Sequence, residues 1–263
     1  MCIRDSVEQG YFLACQARPD GRLRLQDDST GPEPVDSVVE EIRLVAPDVV
    51  RILLRPEQQF EFRPGQYLDV LHPEGSARNY SLASLPSSGL FELHVRHVPD
   101  GLVSGWLHGR RVGDPVRVRG PFGQCFLVAG EPEKRLLLVG AGTGLAPLLG
   151  IARDAQRMVH RGAVDLIHGG LVPERLYLRE ELKRFADDWP QLSVHHCVLR
   201  EATESEHAGA LDEVAVQLAA TLDDTRAFLC GDDAIVRALR RRLFLAGLAS
   251  REIFADPFVP AAR

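Results

Sequence analysis

Long apolar runs are missing from this 263-residue chain. Nothing in it approaches the ~20 consecutive apolar residues that a bilayer-spanning helix needs, so no membrane insertion is expected. A positive excess is missing too: 31 Lys and Arg stand against 37 Asp and Glu, for a formal net charge of −6. A nucleic-acid binder clusters basic residues to meet phosphates, so no nucleic-acid partner is expected. The five cysteines (Cys2, Cys15, Cys125, Cys197 and Cys230) are odd in number, widely spaced and form no C-x-x-C. That argues against a disulfide framework and for a reducing, cytoplasmic setting. The opening "MCIRDSVEQG" lacks the apolar core of a signal peptide. His195 and His196, adjacent in a predicted strand, point to opposite faces and cannot chelate one metal; no other histidine spacing suggests a metal site.

Three textures follow one another along the chain. Residues 1–28 carry little pattern beyond "YFLACQ", and "DDSTGPEP" (27–34) reads as a polar linker. From Val35 to about Val128, short runs such as "VVEEIRLV", "VVRILLRP", "QYLDVLHP", "FELHVRHV" and "PVRVRGP" alternate near period two. Within them Phe91, Leu93 and Val95 are expected to face inward, and Glu92, His94 and Arg96 outward. A single short helix is expected, over 103–109. From Lys134 onward, apolar strands alternate with helical patterns at about 145–160, 176–188, 210–221 and 233–246, the mark of a parallel sheet covered on both faces. The fold class is α+β with two domains: an antiparallel six-stranded β-barrel, then a doubly wound α/β parallel-sheet domain. The expected boundaries are 1–30, 31–130 and 131–263.

"GAGTGLAP" (140–147) leaves the strand "RLLLV". It is neither G-x-G-x-x-G, because Leu145 stands where the last glycine would, nor a P-loop, because no Gly-Lys-Ser/Thr follows. Gly140, Gly142 and Gly144 would let the backbone approach a ligand, and the following helix presents unpaired N–H groups to a phosphate. Pro147 fits a first helical turn. The plainer alternative is a tight strand-to-helix turn with no ligand. In the barrel region, "RNYSLAS" (78–84) offers the guanidinium fork of Arg78, the flat ring of Tyr80 on the same side of the strand, and the Ser81 hydroxyl. Taken alone, an aromatic there would simply pack.

In order along the chain come "RNYS", "VPDGLVSGWL" (98–107), "GPFG" (120–123), "GAGTGLAP", "CGDD" (230–233) and "IFADPF" (253–258). That series resembles the ferredoxin–NADP reductase superfamily, and above all the reductase components of bacterial ring-hydroxylating oxygenases and their sugar-reductase relatives. The resemblance covers about residues 35–263. It implies that Arg78 binds the FAD diphosphate, that Tyr80 stacks on the isoalloxazine with Asn79 beside it, and that Ser81 hydrogen-bonds flavin N5. His94, Val95, Arg96 and Val98 would run along the flavin, while Gly101, Leu102, Val103 and Ser104 close on its diphosphate. Pro121 and Gly123 match the family's G-P-x-G turn; Cys125 stands where the family usually has an aromatic.

For the second half the resemblance implies that Gly142, Thr143, Gly144 and Pro147 hold a nicotinamide dinucleotide. Cys230 and Gly231 match a Cys-Gly pair beside the nicotinamide, although Asp232 replaces the usual following proline. A small buried hydrophobe is the plainer reading of Cys230. Asp256 and Phe258 match a carboxylate and an aromatic near the flavin; an ordinary surface carboxylate is an equal reading of Asp256. The implied catalytic set is Tyr80, Ser81, Cys230 and Asp256. NADH is favoured over NADPH because Leu171 stands where NADP-users tend to place an arginine, with Arg175 four residues on.

"YFLACQARP" (11–19) resembles the end of a plant-type ferredoxin domain, which implies a [2Fe–2S] cluster in a longer form of the protein with Cys15 as one ligand. The grouped C-x4-C-x2-C thiolates that such a cluster needs are not present here. Cys2 lies in "MCIRDS", which reads as translated sequencing-adapter sequence. The implied activity is hydride transfer from NAD(P)H to FAD, then single electrons to an iron–sulfur acceptor: an oxygenase, a ferredoxin or a sugar-modifying enzyme. Two other readings stay open, a free flavin or quinone reductase and a non-catalytic nucleotide-binding sensor.

Overall fold

The period-two pattern of residues 35–122 becomes six antiparallel strands. In the computed structural model, which describes residues 32–219 and 221–259, these are β1 (Val35–Ala46), β2 (Val49–Pro56), β3 (Tyr67–Leu71), β4 (Ala77–Ser81), β5 (Phe91–Arg96) and β6 (Pro115–Phe122). Their order across the sheet is β4-β3-β6-β1-β2-β5. β1 and β2 make a hairpin around Pro47 and Asp48, with Ala46 opposite Val49. Two register shifts in this pair, at Val39/Glu41 and Leu44/Ala46, bend and twist the strands and so help curl the sheet. The edge strands meet just past their ladders, where the Ala83 N–H donates to the Glu92 carbonyl at 3.0 Å. Inside this barrel Ile52, Leu54, Leu68, Val70, Phe91, Leu93 and Val118 pack as one buried cluster. The short helix α1 (Leu102–His108) adds Val103 and Leu107 to it. Each fully buried large apolar side chain contributes roughly 1.5–3 kcal/mol.

The second half alternates as expected: β7 (Arg135–Ala141), α2 (Leu145–Arg157), β8 (Val164–Gly170), α3 (Arg179–Asp188), β9 (Leu192–Val198), β10 (His207–Ala208), α4 (Leu211–Leu218), β11 (Thr225–Asp232), α5 (Asp233–Leu245) and β12 (Ile253–Phe258). All neighbouring strands are parallel, in the order β10-β9-β8-β7-β11-β12. Strand alternation explains the two covered faces. Leu136 and Leu138 of β7 pack with Leu145, Leu148 and Ala152 of α2, whereas Leu137 and Val139 pack with Val214 of α4 and Leu239 of α5. The strand order reverses direction at β7, between β8 and β11, which opens a crevice at the carboxyl ends of the strands. Helix α3 begins at Arg179 rather than at residue 176, because Leu178 adopts φ +58° and cannot belong to it.

The outward set of β5 keeps its orientation but not its exposure. Arg96 is exposed as expected, but Glu92 and His94 are each only 4% exposed. The outer face of β5 is solvent-facing in an isolated barrel; here the α/β half lies against it. Helix α2 comes so near that a Cβ on Gly150 would stand 2.6 Å from the Leu82 carbonyl oxygen. Among the described residues no helix is long and apolar enough to cross a membrane. The expected ferredoxin remnant over residues 1–30, with Cys15, lies outside the described residues.

Candidate active site

Parallel pairing puts five residues from five strands on one lateral row at the crevice. Asp256 of β12 is level with Cys230 of β11, which is level with Gly140 of β7; Gly140 is level with His168 of β8, and His168 with His196 of β9. Directly above β7 the chain turns through Gly142, Thr143 and Gly144 into α2, with Pro147 in its first turn. Gly142 needs φ +55° there. Gly144 admits no side chain, since a Cβ would overlap the Cys230 carbonyl. His168 supports the turn from below, its Nε2 lying 3.2 Å from the Gly142 carbonyl oxygen.

The barrel delivers its own residues to the same row. Ser81, the last residue of β4, donates its hydroxyl to Asp256 Oδ2 at 2.8 Å. Burial pushes the Asp256 carboxyl up, partly offset by this bond from Ser81. Asp256 is therefore no ordinary surface carboxylate. Tyr80 leans half-buried on the barrel core, and burial pushes its phenol well up. Arg78 and Asn79 are exposed. Among the described residues Arg78 forms no ion pair; its guanidinium reaches only the neighbouring Ala77 carbonyl, at 2.6 Å. This leaves a cation, a flat ring and a hydroxyl at successive levels along one strand edge.

The remaining expected contacts divide. Ser104 accepts from the Val98 N–H at 3.1 Å and donates to the Gly101 carbonyl at 3.2 Å, so it shapes the start of α1 with its hydroxyl already engaged. Leu102 and Val98 are exposed, while Val95 and Val103 point into the barrel core and could meet a ligand only through their backbone. Gly123 takes φ +90° beside the Tyr67 ring, just past the Gly120–Pro121 bond, which is cis. Phe258 is half-buried at the end of β12, level with Asp232. Asp232, the departure from the family's proline, caps α5: its Oδ1 accepts from the Ala234 N–H at 2.9 Å.

The ring of His94, expected along a flavin, lies instead in the seam between the two halves. Its Nδ1 is 2.9 Å from the Tyr177 hydroxyl and its Nε2 is 3.2 Å from Glu92 Oε1. Glu92 also receives Arg153 of α2 at 2.7 Å. Arg51 of β2 lies 2.9 Å away as an ion pair. Burial alone would raise the Glu92 carboxyl; the His94 hydrogen bond and the two guanidinium charges outweigh it and hold Glu92 well below the usual carboxylate range. Burial keeps His94 neutral, lowering its pKa despite that carboxylate. Sequence reasoning missed Glu92, Tyr177 and Arg153, because only the docking of the two halves brings them together.

Comparison with known proteins agrees with this geometry. The family model described as an oxidoreductase FAD-binding domain matches residues 37–126, and the oxidoreductase NAD-binding domain model matches residues 138–241. The ferredoxin–NAD(P)+ reductase component of the naphthalene 1,2-dioxygenase system of Pseudomonas putida is 33% identical over 97% of this chain and 80% of its own length. The chain belongs to the ferredoxin–NAD(P)+ reductase family. The electron transfer component of a Pseudomonas putida xylene/toluene monooxygenase is 31% identical over 97% of this chain and 75% of its own. Among solved structures, a cytochrome P450 reductase from Amycolatopsis superposes with a TM-score of 0.83 at 30% identity, covering 98% of this chain and 81% of that one. This reductase is accordingly an NAD(P)H-dependent FAD oxidoreductase. The residues of the crevice suit both groups: an unpaired Arg78 and the Tyr80 ring for FAD, and for the dinucleotide a glycine turn at the head of α2 with open space beside Gly142.

Proposed function

We propose that this reductase draws a hydride from NADH into FAD and feeds single electrons to an iron–sulfur protein acceptor of an oxygenase system. The observation that carries the reading is the Ser81–Asp256 hydrogen bond, which sets the end of "RNYS" against the strand that flanks Cys230. Bound FAD supplies the two-electron to one-electron conversion, and the chain supplies position. Arg78 would hold the diphosphate, Tyr80 would keep the ring plane fixed, and the Ser81 hydroxyl would face the reacting edge. Asp256 can hold a proton at Oδ2, where Ser81 can exchange it. The turn at 142–144 and the Cys230–Gly231 corner would hold the dinucleotide so that the two reacting rings meet at ~3–3.5 Å, removing most of the entropic barrier. We assign the flavin half to residues 31–130 and the nicotinamide half to 131–263.

A preference for NADH is supported by the turn after β8. Leu171 is exposed there, and the Arg175 guanidinium is engaged by Asp48 of the barrel rather than free for a second phosphate. The test is anaerobic. Protein loaded with FAD should be yellow and should bleach on adding NADH, then reoxidise with a plant-type ferredoxin. Ser81→Ala should keep the colour and slow bleaching by ~100-fold, the scale of a positioned proton-transfer group. Protein that takes up no FAD, or whose flavin absorbance ignores NADH, would refute the reading.

A further inference from the structure

The seam also holds two thiols that face each other, one of them Cys230 of the corner assigned to the dinucleotide. Cys125, in the loop after β6, and Cys230, on β11, bring their sulfur atoms to 3.8 Å across the boundary between the halves. Both are buried free thiols. We propose that Cys125 and Cys230 are a dithiol–disulfide pair that hydrogen peroxide closes, switching hydride entry off until a thiol reductant reopens it.

The chemistry balances with peroxide as the oxidant. The Cys125 sulfur attacks one peroxide oxygen, the O–O bond breaks, and a sulfenic acid and one water result. The Cys230 sulfur then attacks the Cys125 sulfur, the S–O bond breaks, and a second water leaves with the Cys230 proton. Two electrons pass from the two thiols to one peroxide. Cys125 is the first to react because it keeps 4% exposure whereas Cys230 keeps none. Burial, and then the neighbouring Cys125, push the Cys230 thiol well up, so at rest it waits as a protonated partner.

The effect on the site follows from what surrounds the two sulfurs. A disulfide needs the sulfurs at about 2.05 Å, so they must close much of the present gap. Neither backbone has room to give freely: a Cβ on Gly65 would overlap the Cys125 carbonyl, and one on Gly144 would overlap the Cys230 carbonyl. Drawing Cys230 toward the barrel therefore disturbs the floor beneath the 142–144 turn. The loss of hydride entry rests on the reading that this corner borders the nicotinamide; the bond itself does not. Cys197 serves as an internal reference, since it is also buried, its thiol pushed up to about 11 by burial, and its sulfur meets the Gly209 carbonyl rather than another thiol.

The experiment treats FAD-loaded protein with graded peroxide beside glutathione as a reactive reference, blocks remaining thiols, and maps peptides by mass. The expected result is one product two hydrogens lighter, with the Cys125 and Cys230 peptides joined and Cys197 still free. The rate of flavin bleaching by NADH falls by an order of magnitude and returns after dithiothreitol. Cys125→Ser and Cys125→Ala, checked for retained flavin absorbance, form no link and keep their own untreated rate under peroxide. A link to any other cysteine, a sulfinic acid without a link, or unchanged mass once glutathione is fully oxidised would overturn the pair. A link with an unchanged rate would overturn the switch. If untreated protein never bleaches, the functional reading fails while the peptide map still decides the pair.

Discussion

The Tyr177 hydroxyl donates to His94 Nδ1 at 2.9 Å and thereby joins the α/β half to the barrel. One neutral tautomer satisfies the whole arrangement: Nε2–H donates to Glu92, so Nδ1 must accept. Tyr177→Phe strands that buried acceptor and should cost about 1–3 kcal/mol of unfolding free energy. Urea titration of the FAD-free and FAD-loaded forms measures it. An unchanged midpoint in both would contradict the assignment.

Glu92 is the hub of the seam, with its side chain 5% exposed between Arg51 and Arg153. Glu92→Ala leaves two guanidinium groups without their shared partner and should destabilise the protein on the order of 3 kcal/mol. The comparison is Lys183→Ala, which breaks an ion pair whose side chains are 69% and 62% exposed. Its melting temperature should stay close to that of the parent. Comparable shifts for the two variants would deny the seam its special weight.

Acid should loosen the fold through buried histidines before it protonates carboxylates. Burial, with neighbouring His196 adding to it, holds His168 down at about 3 against an ordinary 6.5. The unfolded chain therefore takes up this proton first as pH falls. Stability from His168 is complete above 6.5 and drains away as pH falls toward 3, at up to about 1.4 kcal/mol per pH unit. Burial lowers His94 in the same sense. Unfolding free energy should accordingly be smaller near pH 5 than near pH 7, and His168→Gln should flatten that slope. An equal slope in the variant would remove His168 from the account.

Gly144→Ala puts a methyl group into the Cys230 carbonyl, and backbone on both sides leaves no flexible tip to yield. The turn must move, so the KM for NADH should rise while FAD absorbance is kept. Gly142→Ala is the partner test: the space is open, and the strain comes only from φ +55°. It should be the milder of the two in stopped-flow reduction.

What could be read in advance was whatever is local in the chain. Alternation in "FELHVRHV" gave the strand and the inward set Phe91, Leu93 and Val95 correctly. It set Glu92 and His94 on the outer face correctly but missed their burial, because period two separates two faces without saying what covers the second. The glycine turn at 140–147 and the strand ending in Ser81 were legible from residue type and spacing; the hydrogen bond from Ser81 to Asp256 spans 175 residues and was not. The start of α3 was misjudged because apolar periodicity continues through Leu178, whose left-handed backbone only tertiary packing maintains. Asp232 looked like a lost motif residue and is a helix cap.

The missing side chain at Gly150 has a consequence for engineering. With α2 lying backbone to backbone on the Leu82–Ala83 corner, the two modules meet like a key cut for one lock. A chimaera that grafts the barrel of one relative onto the nicotinamide module of another must match at this residue, or the modules will assemble a few tenths of an ångström too far apart and electron delivery will slow even though every cofactor ligand has been kept.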